Sequence, residues 1–531
     1  MTTTDKTDKT HPGAVAKRAS HPALALLIIA GTQLMIVLDA TIVNIALPSM
    51  GHYFHKSQTD MTWAINAYTL AFGGLLLLGG KAGDILGRRR MFMVGLGLFT
   101  AGSLLGGLAQ NFEMLMIGRV IQGVGGAISS PTALALITTE FDEGKERTRA
   151  LAVFSAVAGA GAALGLLLGG ILTDVLTWRW VLFVNVPIGI ALVAGAYFYL
   201  HESERQTGKF DYRGGLTSTV GMTALVYGFI HAASHGWGNS QTIGSFAVAA
   251  VLLIAFVALQ VRLGEHAMMP LHIFSNRSRS GAYIVMLIIG AAMFGMFYFL
   301  TFFVQQNLHF SPLKSGFAFL PVAFTIGIAA QLAAKFMARL GPRNLIVAGA
   351  AIMTAGLFWL STIDSTSKYA THILPSMVVL AFGIGMIFVP LMTVVVTGVE
   401  PREAGLASAL LNVGQQVGGS IGLSVLATVA ATSGKNAATN EVGKFLASGN
   451  KGSVQHFVEL QKQSQGNFVA SAAARADGAA QHAVSVVGAH AASMGFLAAA
   501  IFGVVALLAG IGMIKTGKTD VANVETPLPV P

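Results

Sequence analysis

The chain has 531 residues, 54% of them hydrophobic and 11% charged, with 33 lysines and arginines against 23 acids and a formal charge of +10. A soluble domain carries about 25% charged residues, so a soluble fold is excluded and a polytopic membrane protein is expected. The absence of cysteine excludes disulfides, thiolate metal centres and cysteine nucleophiles, and the bases lie in short loops between apolar segments, which argues against a nucleic-acid partner.

Residues 1–22 are polar, with Lys6, Lys9, Lys17 and Arg18. The apolar run that follows is too long for a signal-peptide core, so it reads as a retained first span. Apolar segments of spanning length then recur about fourteen times, at 24–47, 61–80, 91–109, 113–135, 150–173, 180–200, 215–233, 243–263, 281–306, 316–337, 343–362, 372–397, 406–431 and 490–514. They lack strand alternation, and lipid admits only helices or closed barrels, so the chain is expected to be all-α.

Lysines and arginines set the orientation. With the N-terminus in the cytoplasm, the inner loops receive Arg88, Arg89, Arg90, Lys145, Arg147, Arg149, Arg205, Lys209, Arg213, Arg277, Arg279, Arg339 and Arg343. The short outer loops hold Lys56, Arg179, Lys314 and Lys368, and an even number of spans returns the C-terminus to the cytoplasm. Residues 23–200 form a six-span front half, 201–280 an insertion of two spans with flanking cytoplasmic loops, and 281–514 a six-span back half. The back half contains an external loop, 432–489, rich in Ala, Ser, Gln and Gly, expected to be mobile apart from an amphipathic helix near 453–475. Residues 515–531 read as a disordered cytoplasmic tail. The halves echo each other weakly: aligning Gly87 with Gly341 places Arg89 on Arg343 and Asp84 on Ala338, an internal duplication of the kind transporters carry.

Two ionisable residues lie deep in apolar runs, Asp39 in the first and Arg119 in the fourth. Charge in hydrocarbon is expensive, so function is the default reading. Were the two to meet, desolvation and the guanidinium would pull the carboxyl in opposite directions, which suits a group that loads and releases a proton; the alternative is a permanent ion pair that only joins two helices. Arg119, Gln122, Gly123 and Gly126 share one helical face, so Gln122 either lines a cavity or makes a packing hydrogen bond. Gly161, Gly165, Gly169 and Gly170 form a small-residue stripe for close helix packing. In the thirteenth span Asn412, Gln415 and Gln416 share a face and are candidate cavity-lining residues, and in the ninth Phe294, Phe297, Tyr298, Phe302 and Gln305 offer aromatic cavity lining or plain packing. His231 stands alone in its span, and no Walker lysine motif is present.

Four segments carry a resemblance. Gly80–Arg90 resembles the cytoplasmic motif G-x-L-a-D-r-x-G-r-k of the major facilitator superfamily, with Gly80, Asp84, Gly87 and Arg88 in place. Leu115–Ala127, around Arg119, resembles its span-four motif. Gly161–Gly170 resembles the antiporter motif g-x-x-x-G-P-x-x-G-G, with Leu166 where the motif has proline. Leu38–Pro48, with Trp178-Arg179-Trp180 and Asn185-Val186-Pro187-Ile188-Gly189, is similar to the fourteen-span drug:proton antiporter branch. The resemblance implies two six-helix bundles plus two inserted helices, fourteen transmembrane helices in all. It implies a monomeric permease of a bacterial inner membrane, without cofactor or enzymatic activity, that exports amphipathic small molecules against protons. Asp39 would carry the proton and Arg119 tune it. The cavity would lie between the halves, with the seventh and eighth spans peripheral. Asp84 would latch the halves against the start of span thirteen, near Ala404–Gly405, when the cavity opens outward. A proton-coupled importer and a membrane sensor are the competing readings.

Overall fold

A computed structural model describes residues 21–141, 145–202, 211–264, 267, 269, 271–399, 404–464 and 472–516. The described chain is helical, without strands. The front half comprises α1 (Pro22–Phe54), α2 (Gln58–Leu86), α3 (Arg88–Gly107), α4 (Phe112–Glu140), α5 (Lys145–Val175), α6 (Trp180–Phe183) and α7 (Asn185–Tyr199). Then come α8 (Tyr212–His235) and α9 (Ser240–Leu263). The back half comprises α10 (Arg277–Phe302), α11 (Pro312–Leu340), α12 (Pro342–Leu360), α13 (Leu374–Val396), α14 (Ala404–Ala447), α15 (Lys451–Ser464), α16 (Ala472–Ala476) and α17 (Gly478–Met513). Among the described residues, 12 helices are long and apolar enough to cross a membrane, α6 and α7 together forming one of them. The two other long helices near these, α5 with 31 residues and α8 with 24, fall where the fifth and seventh spans are expected.

The packing repeats. In the front half α1 packs on α5, α2 and α3 on α4, and α3 on α7; in the back half α10 packs on α14, α11 and α12 on α13, and α12 on α17. The halves then meet through α5 with α11 and α2 with α14, the pairings a two-fold relation between them demands. Gly87 and Gly341 occupy equivalent points: each is the single residue between the second and third helices of its half, at φ 107° and 76°, a conformation that favours glycine. Arg89 donates to the carbonyls of Ala196 and Tyr197 at the end of α7, and Arg343 to that of Ile511 at the end of α17. The weak echo in sequence thus corresponds to the same joint built twice.

The end of the bundle that bears Arg88–Arg90 and Arg343 is termed the basic face. Away from it the halves are sealed together. Tyr298 donates its phenol hydrogen to the Gln58 carbonyl, and Gln305 Nε2 donates to the Ile45 carbonyl at 3.0 Å. Asn66 donates to Ser424 Oγ at 3.0 Å and accepts from Ser420 Oγ at 2.8 Å. The α5–α11 seam is tight there too: a Cβ on Gly316 would lie 2.7 Å from the Leu166 carbonyl, and one on Gly170 2.7 Å from that of Pro312. From Phe324 onward α11 exposes residues around most of its circumference, including Gln331, Leu332 and Lys335, and Gly327 faces open space. The contacts between the halves named here thus lie away from the basic face.

Three expectations need correction. The loop 432–489 is largely helical: α14 continues to Ala447, and α15 and α17 pack with it around Phe457, Ala480, Ala483 and Val487, so this segment has an apolar core of its own. The inserted helices are not both peripheral. α9 exposes an apolar flank (Val251, Ile254, Val261), but α8 lies across the α2–α14 seam: Val226 and Ile230 pack with Leu70 of α2 and Ile421 of α14, and Thr428 of α14 donates to the Phe229 carbonyl at 2.9 Å. Arg279, expected in a loop, is buried, donating to the carbonyls of Ile273, Val395 and Thr397 and so capping the end of α13. The expected terminal tails, Arg205 and Lys209 fall wholly or mostly outside the described residues.

Candidate functional site

Asp39 stands near the middle of α1, 0% exposed, and Arg119 of α4 is 2% exposed. Arg119 Nη1 lies 2.6 Å from Asp39 Oδ2. The guanidinium is held further by the Ala64 carbonyl of α2 (Nε, 2.9 Å) and by Gln122 Oε1 (Nη1, 3.0 Å), and it lies over the Tyr68 ring, 4.5 Å from its centroid. The other carboxylate oxygen, Oδ1, accepts from Gln122 Nε2 and from Asn185 Nδ2, both at 2.9 Å. Ser103 Oγ of α3 accepts from the same two amides at 2.9 and 3.1 Å and donates to the Leu182 carbonyl at 3.0 Å. Five helices, α1, α2, α3, α4 and α7, thus converge on one carboxylate. All its partners are N–H donors, the set an ionised carboxylate requires.

The local sequence explains the convergence. α1 is continuous through Asp39, and its other flank is free to lie close on α5 because that helix presents glycines: a Cβ on Gly165 would stand 2.0 Å from Thr41 Oγ1 and 2.9 Å from the Leu38 carbonyl, and one on Gly169 2.7 Å from the Ile42 carbonyl. Gly161 meets Leu34 and Val37. Gly170 turns instead to α11, so the stripe serves both the α1 contact and the joint between halves. Gly123 and Gly126 allow α4 to press on Tyr68, Ala71 and Phe72 of α2, which brings Arg119 under the Ala64 carbonyl. Leu166, where the antiporter motif has proline, is fully buried at the α5–α11 seam.

The structure joins Asp39, Arg119 and Gln122, and separates the remaining candidates from them. Gln122 is 0% exposed and its amide is spent within the cluster, so it faces the ion pair rather than a cavity. Tyr298 is buried and belongs to the far-end seal, and Phe294 packs against α14 at Gly419. On α14, Asn412 is exposed, while Gln415 and Gln416 are half-buried, the latter against Gly73 of α2. Asp84 is hydrogen-bonded to Arg88, 2.9 Å from its Nη2, while Gly80 and Gly83 lie against Pro131 and Thr132 of α4. Ala404 and Gly405, the expected partner of Asp84, open α14. His231 is not alone: its ring stacks on His235 at 4.1 Å, and Nδ1 lies 2.9 Å from Thr242 Oγ1.

Ser103 and Asn185 were not singled out from the sequence as site residues. Asn185 carried a usable signal, an amide inside an apolar run of spanning length. Ser103 carried none, since serine can satisfy itself on its own helix backbone at any depth.

The description of the Major Facilitator Superfamily matches residues 29–423. The puromycin resistance protein pur8 of Streptomyces alboniger is 42% identical over 410 residues, covering 76% of this chain and 81% of that one. The cephamycin export protein CmcT of Amycolatopsis lactamdurans is 38% identical over 416 residues, covering 78% and 86%. Among solved structures, a bacterial homolog of the human lysosomal transporter Spinster aligns with a TM-score of 0.64 over 94% of this chain and 98% of its own at 15% identity, a likeness of fold.

Proposed function

This chain belongs to the major facilitator superfamily, and on that premise we propose that it exports amphipathic small molecules across a bacterial inner membrane in exchange for protons, by alternating access. The basic face is cytoplasmic, as the lysine and arginine asymmetry requires, with both termini on that side and a monomer as the working unit. The conformation is then open to the cytoplasm and sealed outside. Relatives named for antibiotic resistance and for export support the direction of transport and the class of cargo.

One observation carries the coupling. Asp39 is the one acid with no exposure among the described residues, and it is arranged as an ionised acceptor while the bundle is open inward. An exchanger needs this combination, in which the proton has left to the cytoplasm and cargo enters by the same opening. Reloading requires the far-end seal to part and the outer solution to reach the carboxylate. Asp84 takes part at the other end of the cycle. The contacts of Asn66 with Ser420 and Ser424, and of Gly73 with Gln416, set α2 antiparallel to α14, a register that carries Asp84 toward the first turns of α14. When the basic face closes, Asp84 meets that helix N-terminus, an interaction worth about 0.3–1 kcal/mol when exposed.

The test uses inside-out vesicles with an acid interior. Cationic, neutral and anionic antibiotics are added in turn and the collapse of the proton gradient is followed. Efflux evoked by one class of compound and absent in Asp39→Asn is the expected result. A response that persists in Asp39→Asn would place the proton elsewhere.

A further inference from the structure

We propose that Asn185 is a positioning residue that follows the protonation state of Asp39, donating to the ionised carboxylate and, with its amide rotated by half a turn, accepting from the protonated one. This rests on the reading of Asp39 as the proton carrier.

Two amides touch Asp39 Oδ1, and they are not equivalent. Gln122 is pinned: its Oε1 accepts from Arg119 Nη1 at 3.0 Å, so rotating it would turn N–H groups toward the guanidinium. Asn185 is not pinned. Its Nδ2 serves Asp39 and Ser103, but its Oδ1 is buried without a hydrogen-bond partner, in a side chain with no exposure. A buried amide oxygen left unpaired is unfavourable, and a native structure that keeps one calls for a reason. Rotation brings this oxygen, which has no partner to lose, to the place of Nδ2, within reach of Asp39 Oδ1 and Ser103 Oγ. It also moves the NH2 group to the unpaired position, so it is favoured only once Asp39 carries a hydrogen to donate.

Protonation makes the need for such an acceptor. When a proton from the outer solution forms an O–H bond at Asp39 Oδ1, the hydrogen would point at two amide N–H groups, neither able to accept. Rotated Asn185 receives it. Ser103 can then turn its own hydrogen from the Leu182 carbonyl to the same oxygen. Arg119 keeps the Ala64 carbonyl and Gln122 Oε1, and release of the proton to the cytoplasm reverses each change. No bond other than O–H forms or breaks. The titratable groups facing Asp39 are Arg119 from α4 and the Tyr68 phenol from α2; α3 and α7 face it with Ser103 and Asn185, and α5 packs on the opposite flank of α1 through glycines.

Infrared difference spectroscopy on the purified full-length protein, titrated with acid, reads the O–H hydrogen bond itself. A carbonyl band of protonated Asp39 is identified by its loss in Asp39→Asn. In Asn185→Ala the band should move toward the frequency of a carboxyl without an acceptor, and Asn185→Ser, whose hydroxyl both donates and accepts, should bring it part of the way back. Gel filtration and unshifted amide bands certify the fold, which a purely structural role for Asn185 would disturb without moving the carboxyl band. An Asp39 band that stays in place in both variants would overturn the role of Asn185 and leave the proton carrier standing. No Asp39-dependent band at any pH that preserves the fold would overturn the proton reading, and this inference with it.

Discussion

Replacing Asp39 by asparagine keeps the volume of the side chain and removes the charge that balances Arg119. The guanidinium stays 2% exposed, with the Ala64 carbonyl at 2.9 Å and Gln122 Oε1 at 3.0 Å as neutral acceptors. Breaking a buried pair from one side typically costs about 3–5 kcal/mol, because the surviving charge cannot return to water. Arg119→Gln alone should cost a similar amount, leaving the carboxylate with two amide donors. The double variant Asp39→Asn, Arg119→Gln has no buried charge and can keep a network of amides and one hydroxyl, so it should stand within about 1–2 kcal/mol of the parent, since removing both partners of an ion pair is often close to neutral. Thermal unfolding in one fixed detergent, followed by tryptophan fluorescence, compares the four proteins, and the non-additivity of the two changes isolates the pair. The double variant should regain the fold without regaining substrate-evoked proton movement. If its loss of stability equals the sum of the two single losses, the residues do not act as a unit and the reasoning fails. If it regains proton movement as well, the pair is structural and the coupling lies elsewhere.

Asn66→Ala removes two hydrogen bonds of the far-end seal, each worth about 0.5–1.5 kcal/mol, and should shift the bundle toward the outward-open state. Because the chain has no cysteine, a single Ile45→Cys placed under that seal is a clean reporter. Its labelling by an impermeant thiol reagent should rise about 5- to 150-fold, whereas an unchanged rate would remove Asn66 from the seal. Gly165→Ala drives a methyl to 2.0 Å from Thr41 Oγ1 and should cost about 1–3 kcal/mol by overpacking, while Gly97→Ala meets open space and should be neutral or slightly stabilising; similar melting points for the two would contradict the close α1–α5 contact. Asp477 caps α17 and binds Ser453 and His456, and the Ser453 hydroxyl, His456 and the α17 amides lower its pKa from 3.8 to about 2. A lowered carboxyl pKa contributes stability that is fully present above the ordinary value and is lost as pH falls toward the depressed one. Protease cleavage within α15 should therefore stay slow down to about pH 4 and quicken below it; Asp477→Ala should be cleaved there quickly even at neutral pH, and equal rates would refute the cap.

By itself the sequence determined that this is a helical membrane protein, and that Asp39 and Arg119 are charges set deep in its apolar runs. Hydropathy is a local property, and a charge in a long apolar run is visible without any knowledge of the fold. The Gly87–Gly341 register was legible because a direct turn from one helix into the next needs a positive φ in each half. Only tertiary structure decided the rest. Tyr298 read as either cavity lining or packing and forms the seal; α8 looked peripheral and bridges the α2–α14 seam; Ser103 and Asn185 complete the carboxylate cluster from helices remote in sequence. The physical reason is common to all three. In lipid, residues that face acyl chains and residues that face other helices are equally apolar, so the periodicity that marks the buried face of a soluble helix is erased. What places a side chain in a seal, a seam or an ion-pair cluster is which helices stand beside it, and that is settled between segments, not within them.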